Sequence, residues 1–202
     1  MPIDRGFSFQ APLKSPSSPY VASKVNALLK EFNLLVATSR GNERNACSEI
    51  WYLLRELGDD DPKTDRTDAI GLIVARTGLN PIQVVQELSK RLLESPWKFR
   101  YIQKVSPLER IVPSSLTEIE KCVSSMVEGI EREERFRVTV RKRHTALSSK
   151  EIVELVARKI DRKVDLENPA KVVLIEVVGE LTGISVIKPT DVLSVTKVKR
   201  VV

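Results

Sequence analysis

Histidine, cysteine and aromatic residues are scarce in this chain of 202 residues, and each shortage excludes a class of site. His144 is the only histidine, so a histidine metal cluster or a serine–histidine–aspartate triad would have to centre on it. Cys47 and Cys122 lack the C-x-x-C spacing of a zinc or redox site, and we interpret both as small buried apolar side chains. Aromatic residues make up 5% of the chain and none lies in its most basic stretch, which argues against a platform for stacking single-stranded RNA.

Catalytic signatures and membrane signals are also missing. The sequence contains no G-x-S-x-G motif, no phosphate-binding glycine loop and no H-x-E with a C-x-x-C pair. No apolar run approaches the roughly 18 residues of a membrane span. The first residues, MPIDRGFSFQAPLKSPSSP, lack the apolar core of a secretory signal. We therefore expect a cytoplasmic protein without a cofactor, a bound metal or a membrane contact.

What the chain does have is an excess of positive charge that is confined to its last third. The net charge is +6. Residues 135–202 hold 15 Lys and Arg against 8 Asp and Glu, whereas residues 1–134 hold 18 against 19. A polyanion partner such as nucleic acid is one explanation of this asymmetry, and solubility is the other.

Strand and helix patterns alternate over residues 32–105, which we interpret as one domain after a proline-rich tail and short helix at residues 1–31. Helix patterns cover residues 43–57 and the segment that follows an Asn80 cap and Pro81. The predicted strands have the sequences FNLLVATS, AIGLIVA and KFRYIQKV. This order indicates an α/β or α+β unit.

Residues 106–202 form a predicted second domain, entered through a linker at about residues 106–114 that contains two prolines. A helix near Ser115 precedes the alternating strand RFRVTVRKRH. A helix capped by Ser148 and a strand pair, KVVLIEVVGELTGISVIK, follow it. The first strand, the helix and the next strand make a βαβ unit, so both strands should lie parallel in one mixed sheet with a right-handed crossover.

The basic run at residues 141–144 ends the first strand of this unit, where sheets of this kind gather ligands. The helix that begins beside Ser148 offers free N–H groups close by, so strand end and helix start together predict an anion site. Gly183 marks either a β-bulge or a close backbone approach, and Arg40 either a second anion contact or an ordinary exposed turn. The candidate RNA contacts are Arg141, Lys142, Arg143, His144, Lys171, Gly183, Lys188 and Arg40.

Several stretches resemble one family. The sequences FRVTVRKRH, LSSKEIVELVA and KVDLENPAKVVLIEVVGELTGISVIKP resemble a THUMP domain, the tRNA-binding module of several tRNA-modifying enzymes. Upstream, LVATSRGNERNACSEI and RYIQKVSPLERIV extend the resemblance to about residues 32–190. Over that length the chain most resembles the Tan-type THUMP proteins, which are tRNA-binding adaptors of cytidine acetylation.

This resemblance implies an N-terminal ferredoxin-like domain packed on a THUMP domain, and recognition of the tRNA acceptor stem and 3′ end by shape. It also implies a separate acetyltransferase partner. The chain departs from the family in two respects. Only three strands are predicted in residues 32–105, because DDDPKTDRT is too acidic for the fourth. Lys104, Val105 and Ser106 precede Pro107 where the family has a basic residue and two hydrophobic residues, so Lys104 is not assigned to tRNA.

Two hypotheses of different classes follow. The first is a non-catalytic tRNA-binding adaptor that serves a separate modifying enzyme. The second is a small RNA-modifying or RNA-processing enzyme in which acids such as Glu43, Glu49 and Asp65 line a cleft. The lack of catalytic motifs favours the adaptor.

Overall fold

Two β-sheets, each covered by helices on one face, make up the part of the chain that the computed structural model describes, residues 31–199. The tail and short helix predicted for residues 1–31 therefore lie almost wholly outside the described residues. Within that described part, no helix is both long and apolar enough to cross a membrane.

In the first sheet, two helices connect strands along the chain, one after the first strand and one after the third. In chain order its elements are β1 Leu34–Thr38, α1 Glu43–Glu56, β2 Lys63–Arg66, β3 Leu72–Arg76, α2 Pro81–Glu94 and β4 Ile102–Pro107. The four strands lie in the order β2-β3-β1-β4, and all neighbours are antiparallel. This is the split βαβ arrangement of a ferredoxin-like domain. The Asn80 side chain caps α2 as predicted, accepting from the N–H groups of Ile82 and Gln83.

The first sheet differs from the sequence prediction in two strands. Lys63–Arg66, expected to be an acidic loop, forms β2. A strand at a sheet edge is bonded on one side only and tolerates charged side chains, so its composition was a poor guide. The strand expected over residues 98–105 begins only at Ile102, because a 3-10 turn occupies Pro96–Lys98.

The second sheet is mixed and contains the predicted parallel pair. Its elements are β5 Arg110–Pro113, α3 Leu116–Met126, β6 Phe136–Arg143, α4 Ser149–Lys159, β7 Lys171–Val178 and β8 Leu181–Ile187. The strand order is β5-β8-β7-β6, with only β6 and β7 parallel. The predicted fold class is thus confirmed. Arg110–Pro113, which two prolines led us to place in a linker, is an edge strand, a position that proline tolerates.

The end of the described chain returns to the first sheet. A short strand, β9 Leu193–Ser194, pairs with β4 and is followed by α5 Val195–Val198. The sequence VLSVTKVKRVV predicts a last strand within the second domain, whereas the strand covers only Leu193–Ser194 and belongs to the first sheet. Its return to β4 gives the first sheet a fifth strand, and the division at residue 106 remains a prediction.

The faces that the helices leave open pack against each other. Leu35 and Val74 of the first sheet share one apolar cluster with Leu108, Val178 and Leu181. This packing fixes β4 of one sheet opposite β7 of the other. It therefore determines which polar side chains meet beside the apolar contact.

Candidate nucleic-acid interface

A groove of about 330 Å³ lies where the two sheets meet, and we call it the basic groove. Among the described residues that line it, none is acidic and five are cationic. The five cations are Lys104, Arg137, Arg141, Lys188 and Lys197. They come from β4, β6, the turn after β8 and α5, so chain segments that are distant in sequence build one positive surface.

The alternation of β6 explains why its basic residues reach the groove. Successive side chains of a strand point to opposite faces. Phe136 is fully buried under α3 and α4, and Val138 and Val140 pack against the same cluster. Arg137 and Arg141 therefore occupy the other face, where both line the groove.

A buried carboxylate holds two of the groove cations in place. Glu176 of β7 is 6% exposed, and its Oε1 accepts from Arg141 at 2.8 Å, from the Ser106 hydroxyl at 3.0 Å and from Lys104 at 3.4 Å. Burial raises the pKa of Glu176 above its ordinary value, while the Arg141 charge acts in the opposite direction. The Glu176 carboxylate thus links Arg141 of the second sheet to Lys104 of the first.

Arg137 lies farther along the same face of β6. Its Nη1 donates to the Leu166 carbonyl at 2.9 Å. Its Nε is buried and has no hydrogen-bond partner among the described residues. Arg137 therefore contributes positive charge to the groove, while its buried Nε lies out of reach of a ligand in the groove.

The structure divides the predicted basic run between two faces. Arg141 lines the groove and Arg143 shares its face of β6 by alternation, with an exposed side chain. Lys142 points the other way, and its ammonium donates to the Leu147 carbonyl at 2.7 Å. His144 is exposed beyond the strand end and has a φ of 54°, a turn conformation in which histidine is found more often than most residues.

Of the three other cationic candidates, one lines the basic groove and two do not. Lys188 lines the basic groove. Lys171 pairs with Phe136 and by alternation shares the helix-covered face of β7 with Val173, and its ammonium lies 3.9 Å from Glu134. Arg40 is an exposed residue just after β1 and does not line the groove. The structure therefore does not bring Lys171 or Arg40 to the groove.

Gly183 is a packing residue, which corrects its assignment to RNA. It is buried in β8 and pairs in register with Ile111 and Glu176, so no bulge is present. A Cβ at this position would lie 2.5 Å from Leu108 Cδ1. The close approach predicted as one alternative is real, but the neighbour is a leucine of the same chain.

Three of the five groove cations were missed by the sequence interpretation. Lys104 was set aside because its context departs from the family pattern, yet it contacts Glu176 and lines the groove. Arg137 could have been found, since it is four residues before Arg141 on the same strand face. Lys197 had no local signal, because its place depends on the pairing of β9 with β4.

The acids considered for catalysis do not share a cleft. Glu43 accepts from the Gly71 N–H at 2.9 Å, and this bond is the largest cause of its lowered pKa. Glu49 accepts the backbone N–H groups of Arg100, Tyr101 and Ile102 at 2.9, 3.0 and 2.9 Å. Glu49 lines a second pocket that neither Glu43 nor Asp65 lines. The two glutamates thus have structural roles.

Comparison with known proteins agrees with this architecture. The family model of the THUMP domain matches residues 113–187, so the chain contains a THUMP domain. An uncharacterized protein of Schizosaccharomyces pombe, C25H2.10c, is 28% identical in an alignment of 124 positions that covers 57% of this chain and 43% of that protein.

Solved structures share the fold at low sequence identity. PH1313 from Pyrococcus horikoshii superposes with a TM-score of 0.59 at 21% identity, over 78% of this chain and 55% of its own. TrmN from Thermus thermophilus gives a TM-score of 0.50 at 17% identity, over 78% of this chain and 46% of its own. The chain thus spans about half the length of the proteins that it matches.

Proposed function

We propose that this protein is a non-catalytic tRNA-binding protein that recognises the acceptor stem and 3′ end and presents tRNA to a separate modifying enzyme. The observation that carries the proposal is the convergence of five cations from four chain segments on one groove, in a chain that contains a THUMP domain. THUMP domains are tRNA-binding modules, and a groove of this charge is suited to a phosphate backbone.

Recognition by phosphate and shape fits the composition of the groove. None of the described groove residues is aromatic, so the groove itself offers no surface for stacking bases. Phosphate contacts position a protein on RNA without reading its sequence. Double-stranded RNA is recognised mainly by its shape and backbone. Selectivity for tRNA would then come from the fixed spacing of the two sheets.

The adaptor role and its partner rest on the resemblance to Tan-type proteins. That family serves cytidine acetylation, so we propose an N4-cytidine acetyltransferase as the partner and the cytoplasm as the compartment. The backbone hydrogen bonds of Glu43 and Glu49 support an adaptor over a small enzyme, because each carboxylate already accepts N–H groups of the chain and the two do not share a cleft.

Binding of the full chain to tRNA tests the proposal directly. We expect tRNA with an intact 3′ end to compete better than trimmed tRNA or a plain RNA hairpin. Reversal of two exposed groove cations, Lys188→Glu with Lys197→Glu, should weaken tRNA binding by an order of magnitude or more. Lys90→Glu with Lys121→Glu, which reverses two exposed cations on α2 and α3 outside the groove, is the control matched in charge. Equal binding by all three proteins would refute the groove as the tRNA site.

The enzyme alternative has its own test. Isolated protein is incubated with tRNA and a group donor such as acetyl coenzyme A, without a second protein, and the nucleosides are then analysed. We expect no modified nucleoside. Modification under these conditions would replace the adaptor proposal with the small-enzyme hypothesis.

A further inference from the structure

We propose that a second pocket of this protein receives an unstacked base of the RNA whose phosphates lie in the basic groove; this inference rests on the proposed function. The pocket has a volume of about 360 Å³ and lies between α1 and the segment that leads into β4. We call it the tyrosine pocket, because Tyr52 and Tyr101 stand on its two walls.

One face of α1 forms the first wall. Six residues at helical spacing line the pocket from this side: Asn45, Ser48, Glu49, Tyr52, Leu53 and Glu56. Lys98 and Tyr101 form the second wall. The two walls are joined by Glu49, whose carboxylate accepts three successive backbone N–H groups at residues 100–102. The pocket is therefore held open before any ligand binds.

The walls have the chemistry of a base-stacking site. Their accessible surface is mostly apolar. Tyr52 is 67% exposed, and the ring of Trp51 meets it edge-on with centroids 5.5 Å apart, which limits its freedom. Nucleic-acid bases stack on such rings whatever their sequence. Asn45 and Ser48 add an amide and a hydroxyl that can bond a base edge.

A strip of cations connects this pocket to the basic groove. Lys197 lines the groove, and two residues later Lys199, at the end of α5, donates from its ammonium to the Phe99 carbonyl at 2.8 Å. In the sequence, Phe99 lies between Lys98, which lines the pocket, and the exposed Arg100. Along the chain, Tyr101 is three residues from the groove residue Lys104, about 10 Å in an extended strand.

This strip is the reason for choosing RNA as the occupant. Exposed tyrosine and tryptophan side chains are also typical of protein interfaces. A protein side chain would not need a row of positive charges that leads from the groove to the pocket, whereas a phosphate backbone would. Both carboxylates that line the pocket already have partners: Glu49 accepts three backbone N–H groups, and Glu56 is paired with Lys98 at 2.8 Å and Arg91 at 2.7 Å.

The test uses an RNA hairpin with a single-stranded 3′ tail, in which 2-aminopurine replaces one tail base at a time, and the same hairpin without a tail. Full-length wild-type protein should quench 2-aminopurine in at least one tail position. Tyr52→Ala should abolish that quenching and weaken binding of the tailed hairpin by about 5- to 100-fold, the usual effect of one stacked base. Tyr52→Phe should behave as wild type, because it retains the ring.

Two controls separate the pocket from the groove and from aromatic surface in general. Binding of the blunt hairpin should be unchanged in Tyr52→Ala, and Trp97→Ala, which removes an exposed aromatic residue outside the pocket, should affect neither RNA. If wild type binds both hairpins but no tail position responds, the pocket inference is wrong and the proposed function stands. Quenching that survives Tyr52→Ala would also overturn the inference. If wild type binds neither hairpin, the proposed function fails and the inference fails with it.

Discussion

The Arg141 guanidinium lies 2.8 Å from the Glu176 carboxylate, and through this ion pair the candidate site is joined to the packing between the two sheets. Glu176 also accepts from Lys104 and Ser106 of the first sheet. Arg141, which the sequence interpretation assigned to RNA contact, thus has a structural role as well. Arg141→Glu would put a second carboxylate beside Glu176, so it is a poor probe of RNA binding alone.

The Arg141–Glu176 pair should show strong coupling in a double-mutant cycle. Arg141→Ala removes the nearest charge from a buried carboxylate, and we expect a loss of about 1–2 kcal/mol in the free energy of unfolding at neutral pH. Glu176→Gln in the same chain should recover most of that loss, because no buried charge then lacks its partner. Urea unfolding of the four proteins measures the coupling. Strictly additive effects would show that the pair has no energetic role.

Glu176 should also leave a signature in the dependence of stability on pH. Burial raises the pKa of this carboxyl, so the folded chain binds its proton more tightly than the unfolded chain does. The stability that this proton contributes is fully present below the unfolded pKa, about 4.3, and is lost as pH rises through the folded pKa.

We therefore expect Glu176→Gln to gain stability relative to wild type as pH rises from about 4 to 7. Carboxyls with lowered pKa values, such as those of Glu43, Glu56 and Asp165, are present in both proteins and cancel in the difference. Paired urea titrations at several pH values give the result. A difference that is constant over this range would mean that Glu176 is ionised equally easily in both states.

Gly183 offers a test that separates packing from RNA contact. A Cβ in Gly183→Ala would meet the Leu108 side chain at 2.5–3.0 Å, so we expect a loss of roughly 1–3 kcal/mol in stability from overpacking. Leu108→Val, which shortens the opposing side chain, should reduce the penalty of Gly183→Ala when the two changes are combined. Folded Gly183→Ala protein should bind tRNA with wild-type affinity. A folded variant with weakened binding would restore the original assignment of Gly183 to RNA.

Long apolar or alternating segments made much of the fold predictable. The pattern of β6, the Ser148 cap and the apolar β7 together predicted a parallel pair, and the register confirms it. The sequence pattern of these segments is local, because a strand buried on one face alternates apolar and polar residues and a strand buried on both faces is apolar throughout. β2 was missed because an edge strand needs few apolar side chains.

The site was less predictable because it depends on contacts between distant segments. The basic run pointed to β6, where Arg141 lines the groove. The other groove cations arrive from β4, from the turn after β8 and from α5, over some 90 residues of chain. No local sequence pattern predicts that β9 pairs with β4, so the sequence could not show that Lys197 lies in the groove.

Binding to RNA should depend steeply on salt if the five groove cations contact phosphates. Each phosphate contact releases bound counterions from the RNA, so the logarithm of the affinity should fall with the logarithm of salt concentration at a slope of roughly −3.5 to −4.5. Lys188→Gln and Lys197→Gln should each make the slope shallower by about 0.7–0.9, since each removes one contact. Lys121→Gln removes the same charge from an exposed site on α3 and should leave the slope unchanged. Affinities for tRNA at four or five salt concentrations provide the slopes. Equal slopes in all four proteins would place the phosphate contacts outside the basic groove, and a flat response in wild type would exclude a phosphate-dominated mode altogether.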